Sequence, residues 1–350
     1  MRPAGLPLRW GHDGLPAAPR RILLVQISAM GDQVQTLPAV SDIVARWPQA
    51  QIDWAVDSRF ADIARQHPAV RSVFALPLKG VQQAPGDLAR WRALLSELRA
   101  LRAQRYDVVW DPHSVLKSAA VARLARASLR VGYRAADCGG EPLAAHAYHL
   151  HFARPPGVHG TEGRRRFAQA VFDTQVDGAP RYRLGERLRI EPRQRHALLL
   201  AHGVSRPHRE WAQQSWIELA RRLAARGVAL KATWGNERER QRAHAIAAAL
   251  PPGAIELTAP PDGVDALLRY LAASRAVVGV DTGFTHLAAA LRLPLLGVFS
   301  AATGPEVLLA ENVACTRTVG GNGHEPGVDE AWHALLDVLA AADAAEQVLE

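Results

Sequence analysis

Five short stretches bring together side chains able to do chemistry. In "AVVGVDTGFTHLAAAL" a buried apolar run ends at Asp281, Thr282-Gly283 makes a tight turn, and Thr285-His286 opens a helix. Free N–H groups and the dipole at a helix start suit an anion such as a diphosphate. A plain capped helix would read the same way. "HGVSRPHREW" leaves another strand with Ser205, Arg206 and Arg209 on its loop. An arginine there is either a bidentate phosphate ligand or a solvated cation. In "WGNERERQRA", Gly235 turns the chain and Glu239 follows one helical turn on. That carboxylate can accept ribose hydroxyls, as acids after Rossmann strands do, or pair with a neighbouring arginine.

The other two stretches lie in the first half. "RILLVQISAMGDQVQTLPAV" places Asp32, behind Gly31, at the head of an apolar helix. An acid in that position is a helix cap or a general base, and Gly31 fits a tight turn that aims it outward. "VVWDPHSVLKSAA" sets Asp111, His113 and Lys117 after a strand. Asp111 is a helix cap or a substrate ligand. The Asp-Thr-Gly triplet does not indicate an aspartic protease, which needs paired carboxylates; the chain has one such triplet, in an α/β setting.

These loops need strands to launch them. "RILLVQI", "QIDWAV", "SVFALP" and "YDVVW" read as strands in the first half, with helices near 37–46, 59–66 and 87–104. "HALLLAHG", "VALKATWG", "AIELT", "AVVGVD" and "LLGVFS" repeat the style, separated by helices near 213–226, 237–249, 264–273 and 285–291. Alternation of this kind predicts βαβ units on parallel sheets. The expected architecture is two doubly wound α/β domains, 20–178 and 190–327, facing a cleft. The weakly periodic stretch around 175–193 is the linker. Residues 1–19 are a loose tail, and 328–350 form a last helix long enough to return to the first domain.

Length and composition agree with that division. The chain has 350 residues, 48% hydrophobic and 22% charged, as two soluble domains would. Nothing at the start resembles the apolar core of an export signal. Cys138 and Cys315 are isolated, which fits a reducing cytoplasm, and the fourteen histidines show no spacing that demands a metal. The net charge of +8 comes mostly from arginine, which suits phosphate, a nucleotide-sugar diphosphate or anionic lipid. Without an aromatic-interleaved basic patch, nucleic acid is not an expected partner. In the helix 87–105, Trp91, Leu94, Leu98 and Leu101 align with arginines nearby. That face packs on the sheet with the arginines snorkelling, or rests on an anionic membrane.

Taken together, the quoted motifs resemble those of family 9 glycosyltransferases, the group that contains the lipopolysaccharide heptosyltransferases. The likeness runs through nearly everything after residue 20. It is nearest to the branch that adds the first inner-core heptose, from ADP-heptose to Kdo-lipid A. The resemblance implies a GT-B fold of two Rossmann-like domains, an inverting reaction, and no required metal or cofactor. It implies Asp32 as the base and Arg209, with the helix after Asp281-Thr282-Gly283, as stabiliser of the leaving diphosphate. Glu239 would hold the ribose, Ser205 would contact the donor, Asp281 would touch its heptose, His286 would support the phosphate loop, and Gly31, Asp111 and Lys117 would line the acceptor site. An enzyme at the cytoplasmic face of the inner membrane is the expected setting. Two readings compete: a family 9 transferase with another acceptor, and a nucleotide-binding GT-B protein without catalysis. Arg209 stands where the nearest relatives carry lysine, and Asp111-Pro112-His113-Ser114 replaces the usual Asp-x-Gln-Gly.

Overall fold

The computed structural model describes residues 18–186, 197–204, 207–304 and 315–347. The chain divides into two compact units, Met1–Arg187 and Leu188–Glu350.

In the first unit the strands are β1 (Arg21–Val25), β2 (Gln51–Asp57), β3 (Val70–Leu76), β4 (Arg105–Trp110), β5 (Arg126–Tyr133) and β6 (Leu150–Phe152). They form one parallel sheet in the order β3-β2-β1-β4-β5-β6, with Ile22 opposite both Ile52 and Val108. Parallel neighbours need crossovers, and the crossing helices cover both faces of the sheet. This is why "ILLV" of β1 is a continuous apolar run and is fully buried. The helices are α1 (Met30–Arg46), α2 (Ala61–Gln66), α3 (Leu78–Gln83), α4 (Leu88–Ala103), α5 (Leu116–Leu124) and α6 (Gly160–Phe172). α1 and α6 pack together and share a buried ion pair, Arg165 Nε to Asp42 Oδ2 at 2.7 Å. Removing one partner of such a pair strands a charge and costs about 3–5 kcal/mol. On α4, Leu94 and Leu101 are buried but Trp91 is 40% exposed, so the apolar face is narrower than its sequence spacing suggests.

The second unit repeats the plan. Its strands are β7 (Ala197–Ala201), β8 (Leu230–Ala232), β9 (Ile255–Leu257), β10 (Ser274–Gly279), β11 (Leu295–Phe299) and β12 (Thr316–Gly320), in the order β12-β11-β10-β7-β8-β9. Counted from each unit's own first strand, the two sheets have the same Rossmann order. The helices are α7 (Gln213–Ala225), α8 (Glu237–Ala248), α9 (Gly263–Ala272), α10 (Gly283–Ala290) and α11 (Val328–Gln347). Leu198, Leu200, Val278 and Val298 of the sheet pack with Trp211 and Trp216 in one core. α11, the helix whose length allowed a return to the first domain, belongs to this core through Trp332 and Leu335. Arg222 to Asp329 at 2.6 Å and Arg275 to Asp343 at 2.9 Å fasten its outer side. Among the described residues, no helix is long and apolar enough to cross a membrane.

Candidate active site

Each sheet reverses its strand order once, between β1 and β4 in the first unit and between β7 and β10 in the second. Ligands of doubly wound sheets bind outside the strand carboxyl ends at such a point. The candidate residues gather at these two places.

In the first unit, α1 starts at Met30, so Gly31 is its second residue and Asp32 its third. Gly31 is therefore helical and does not make the tight turn expected of it; the chain leaves β1 through the irregular stretch 26–29. Both oxygens of Asp32 are engaged. Oδ2 accepts the Ala29 N–H at 2.7 Å, which caps the helix, and Oδ1 accepts Arg164 Nη2 at 2.6 Å. Arg164 comes from α6, and its Nη1 also donates to Gln35 Oε1 and Gly160 O, each at 2.9 Å. The Arg164 side chain is 12% exposed while that of Asp32 is 39% exposed, so the arginine backs the carboxylate and leaves it reachable from solvent.

Two groups after β4 complete this end. Lys117 Nζ donates to Ser28 Oγ at 2.6 Å, beside the head of α1. Burial lowers the Lys117 pKa, against the opposing pull of Asp57, Glu141 and Asp32. His113 Nδ1 accepts the Ile27 N–H at 3.3 Å. Burial drives this imidazole down to about 4 despite the attraction of Asp32, so it is neutral at pH 7.

Asp111, a candidate acceptor ligand from sequence, has another part. It is 0% exposed. Its Oδ1 accepts the N–H groups of His113 and Ser114 at 3.0 and 2.8 Å, and its Oδ2 accepts Tyr148 Oη–H at 2.7 Å. Burial raises its pKa to about 6, with the Ser114 backbone and Tyr148 hydrogen bonds working the other way. A carboxylate so enclosed shapes the 111–114 turn and presents nothing to an acceptor. Tyr148 reaches it by lying over Gly132, where any Cβ would strike the ring.

In the second unit, β10 stops at Gly279 and α10 begins at Gly283 with Thr282 as its N-cap. The strand therefore ends before Asp281, and the helix opens two residues ahead of Thr285. A Cβ on Gly279 would collide with Thr285 Oγ1, which itself donates to Val280 O at 2.6 Å. Glycine here lets the helix close on the strand end. The N–H groups of Gly283 and Phe284, the first two of α10, have no intrahelical partner, while that of Thr285 bonds to Thr282 O at 3.1 Å. Asp281 sits just before them. Its Oδ2 is paired with Arg209 Nη1, and its Oδ1 lies 3.7 Å from His286 Nε2. Burial alone would raise the Asp281 pKa, but nearby His286 and the paired Arg209 outweigh it and hold the group below its usual value. Arg209 keeps a buried Nε with no hydrogen-bond partner.

Glu239 is the third residue of α8, the same helical position that Asp32 occupies in α1. Its Oε2 accepts the Gly235 N–H at 2.6 Å and its Oε1 accepts Asn236 Nδ2 at 2.8 Å. The carboxylate lies over Gly203, just past β7. Thus Arg209, Glu239, Asp281, Thr282, Gly283 and His286 all stand at strand carboxyl ends of one sheet. Ser205, the remaining candidate, lies outside the described residues. Among those that are described, no group of three or more His, Cys, Asp or Glu is arranged to hold a metal ion.

With this geometry in place, comparison with known proteins is decisive. The sequence profile described as "Glycosyltransferase family 9 (heptosyltransferase)" matches residues 91–324. Lipopolysaccharide heptosyltransferase 1 of Pseudomonas aeruginosa is 34% identical over 284 residues, covering 80% of this chain and 78% of that protein. The chain belongs to glycosyltransferase family 9. The Escherichia coli K12 protein of the same name is 32% identical over 288 residues, 80% of this chain and 87% of its own length. Among solved structures, E. coli heptosyltransferase WaaC with ADP superposes with a TM-score of 0.77 at 27% identity, covering 94% of this chain and 98% of the other. The same enzyme with ADP-2-deoxy-2-fluoro heptose gives 0.74 at 26% identity, with the same coverage. The chain is thus a family 9 glycosyltransferase built, as the GT-B class is, from two Rossmann-like units.

Several groups at the candidate site carried little or no signal in the sequence. Arg164 stands in "GTEGRRRFAQAVF", a polar stretch with no strand-to-loop signature. The run of three arginines was its one available signal: Arg164 and Arg165 turn to α1, and Arg166 pairs with Glu162 on its own helix. Tyr148, Glu210 and Arg242 carried no signal, because only tertiary contacts give them partners.

Proposed function

We propose that this chain transfers L-glycero-D-manno-heptose from ADP-heptose to Kdo-lipid A, with inversion, in assembly of the lipopolysaccharide inner core. The reading calls for no metal or organic cofactor. The observation that carries it is the split of charge between the units: a solvent-reachable carboxylate on the first helix of one, and a cation with an open helix N-terminus in the other. Asp32 takes the proton of the acceptor hydroxyl as its oxygen attacks the anomeric carbon. The bond to ADP breaks with its electron pair, and the leaving diphosphate is stabilised by Arg209 and the N–H groups of Gly283 and Phe284. Glu239 accepts the ribose hydroxyls, Asp281 contacts the heptose, and His286 steadies Asp281. On the acceptor side, Lys117 supplies a cation beside Asp32. Incubation with ADP-heptose and Kdo-lipid A should give ADP and an acceptor heavier by one heptose. Transfer only to a different acceptor would favour the neighbouring family 9 reading, and ADP binding without any transfer would favour a non-catalytic protein.

The proposal includes work at the cytoplasmic face of the inner membrane. Among the described residues, the large apolar side chains left exposed are Leu88, Trp91, Leu95, Leu116 and Leu143, all in the first unit. The first three follow one side of α4 together with Arg92 and Arg99, which have no partner among the described residues. A mixed apolar and cationic strip of this kind suits an anionic bilayer surface. Binding to anionic vesicles should weaken with added salt and with Leu88→Gln plus Leu95→Gln. Binding indifferent to both would remove the membrane from the reading.

A further inference from the structure

The geometry points to Glu210 as a positioning residue that aims Arg209. This rests on the role of Arg209 proposed above, and it adds a group that the family resemblance does not supply.

Arg209 ends a three-residue 3-10 turn, Pro207–Arg209, an element too short to fix by itself the backbone from which Arg209 reaches Asp281. Its neighbours supply the fixing. His208 O accepts Ser300 Oγ–H at 3.2 Å. Trp211 is buried, donates from Nε1 to Pro326 O at 3.0 Å, and meets Trp216 edge-on at 5.2 Å. Between these two anchors, Glu210 Oε2 accepts Arg238 Nη2 and Arg242 Nη2, both at 2.7 Å. Charge-assisted bonds of this length are the strong class.

The two arginines differ in burial and in reach. Arg238 is exposed, whereas the Arg242 side chain is only 8% exposed and also donates from Nη1 to His202 O at 3.0 Å, just beyond β7. Glu210 is thereby tied through Arg242 to the carboxyl end of a central strand. The helix that provides both arginines, α8, carries Glu239 in its first turn. One carboxylate therefore links the helix that presents Glu239 to the turn that presents Arg209. If this link is cut, His208 and Trp211 still fasten the two sides of Arg209, but the turn loses its tie to α8, and the backbone from which Arg209 reaches Asp281 is no longer fixed against the helix that presents Glu239.

The test is a double-variant cycle in the full chain, read as kcat and KM for ADP-heptose with thermal midpoints in parallel. Glu210→Gln keeps an acceptor for buried Arg242 but removes its counter-charge, so its thermal midpoint should fall, and kcat is compared at a temperature where the variant is fully folded. Arg238→Gln removes half of the clamp without stranding a buried charge. Glu210→Gln should lower kcat by roughly 10- to 100-fold, the scale of a misplaced catalytic group, with KM changed far less. Arg238→Gln should produce a smaller loss of the same kind. In an Arg209→Ala background, Glu210→Gln should cost nothing more, because there is no longer a guanidinium to aim. Multiplicative losses in the double variant, or wild-type kcat in Glu210→Gln, would overturn the positioning role alone. A wild-type chain that turns over no ADP-heptose would overturn the functional reading and this role with it.

Discussion

Arg164 Nη2 lies 2.6 Å from Asp32 Oδ1, while Asp32 Oδ2 holds the Ala29 N–H. The question of cap against base is therefore not a choice between two places for this acid. One oxygen caps α1, and the other faces a nearly buried arginine planted by α6. Asp32→Asn keeps an acceptor for the Ala29 N–H but cannot take a proton and cannot balance Arg164. Turnover should fall by about 10²–10⁴-fold with ADP-heptose affinity nearly unchanged. Substantial turnover in folded Asp32→Asn protein would leave the residue as a cap. Arg164→Lys should retain more turnover than Arg164→Gln, since a cation beside the carboxylate survives.

The pairing of Arg209 with Asp281 leaves Arg209 Nε without a partner. Arg209→Ala should slow turnover by roughly 10²-fold, the scale of losing a preorganised donor to developing charge. Lysine at 209 keeps the charge but not the planar fork. Recovery with Arg209→Lys would mean that charge alone matters, and persistent loss would mean that two guanidinium nitrogens grip the diphosphate. Unchanged turnover in Arg209→Ala would remove it from the machinery.

The strands that launch these groups were legible because parallel strands buried on both faces carry continuous apolar runs: "ILLV" in β1, "VVW" in β4, "ALLLA" in β7 and "AVVG" in β10. β5 and β6 were not. "RASLRVGY" has its first three residues exposed or half-buried, and "LHF" is three residues long. α6 opens with Gly160-Thr161-Glu162-Gly163 and three arginines, which hides its helical period. The same contrast holds at the site. Asp32, Glu239 and Asp281 each follow a strand within a few residues, so local motifs expose them. The partner of Asp32 is 132 positions away, and only the packing of α1 on α6 reveals it. Asp111 has the local signature too, but its enclosure by Tyr148 is again tertiary.

Acid should weaken the second unit through His202. Burial, then the charge of Arg242, pushes its pKa from 6.5 down to about 4. Between those values the unfolded chain binds a proton that the folded chain refuses, so stability rises with pH across that window. At 1.36 kcal/mol per pKa unit, going from pH 6.5 to pH 4 costs on the order of 3 kcal/mol. His113 acts in the same direction in the first unit, and Asp111, raised to about 6, acts in the opposite one. His202→Phe should therefore gain thermal midpoint relative to wild type as pH falls from 7 to 4.5. A difference between the two proteins that does not change with pH would contradict a buried neutral His202.

Gly203 offers a way to move Glu239 without altering it. A Cβ at Gly203 would stand 2.5 Å from Glu239 Cδ and 2.7 and 2.8 Å from its two oxygens. The obstacle is the far end of a flexible side chain, so Gly203→Ala should fold with a thermal midpoint close to wild type. The carboxylate must then leave the strand end, giving up its bonds to the Gly235 N–H and Asn236 Nδ2. If Glu239 holds the ribose of the donor, Gly203→Ala should weaken ADP binding about as much as Glu239→Ala does. Losing one charged hydrogen-bond acceptor, about 1.5–3 kcal/mol, puts that loss at roughly 10- to 100-fold. The double variant should be no weaker than Glu239→Ala alone, because the alanine at 203 acts only by displacing a group that is no longer there. ADP affinity that survives Gly203→Ala intact would place the ribose elsewhere and leave Glu239 a brace for the Gly235–Asn236 turn that opens α8.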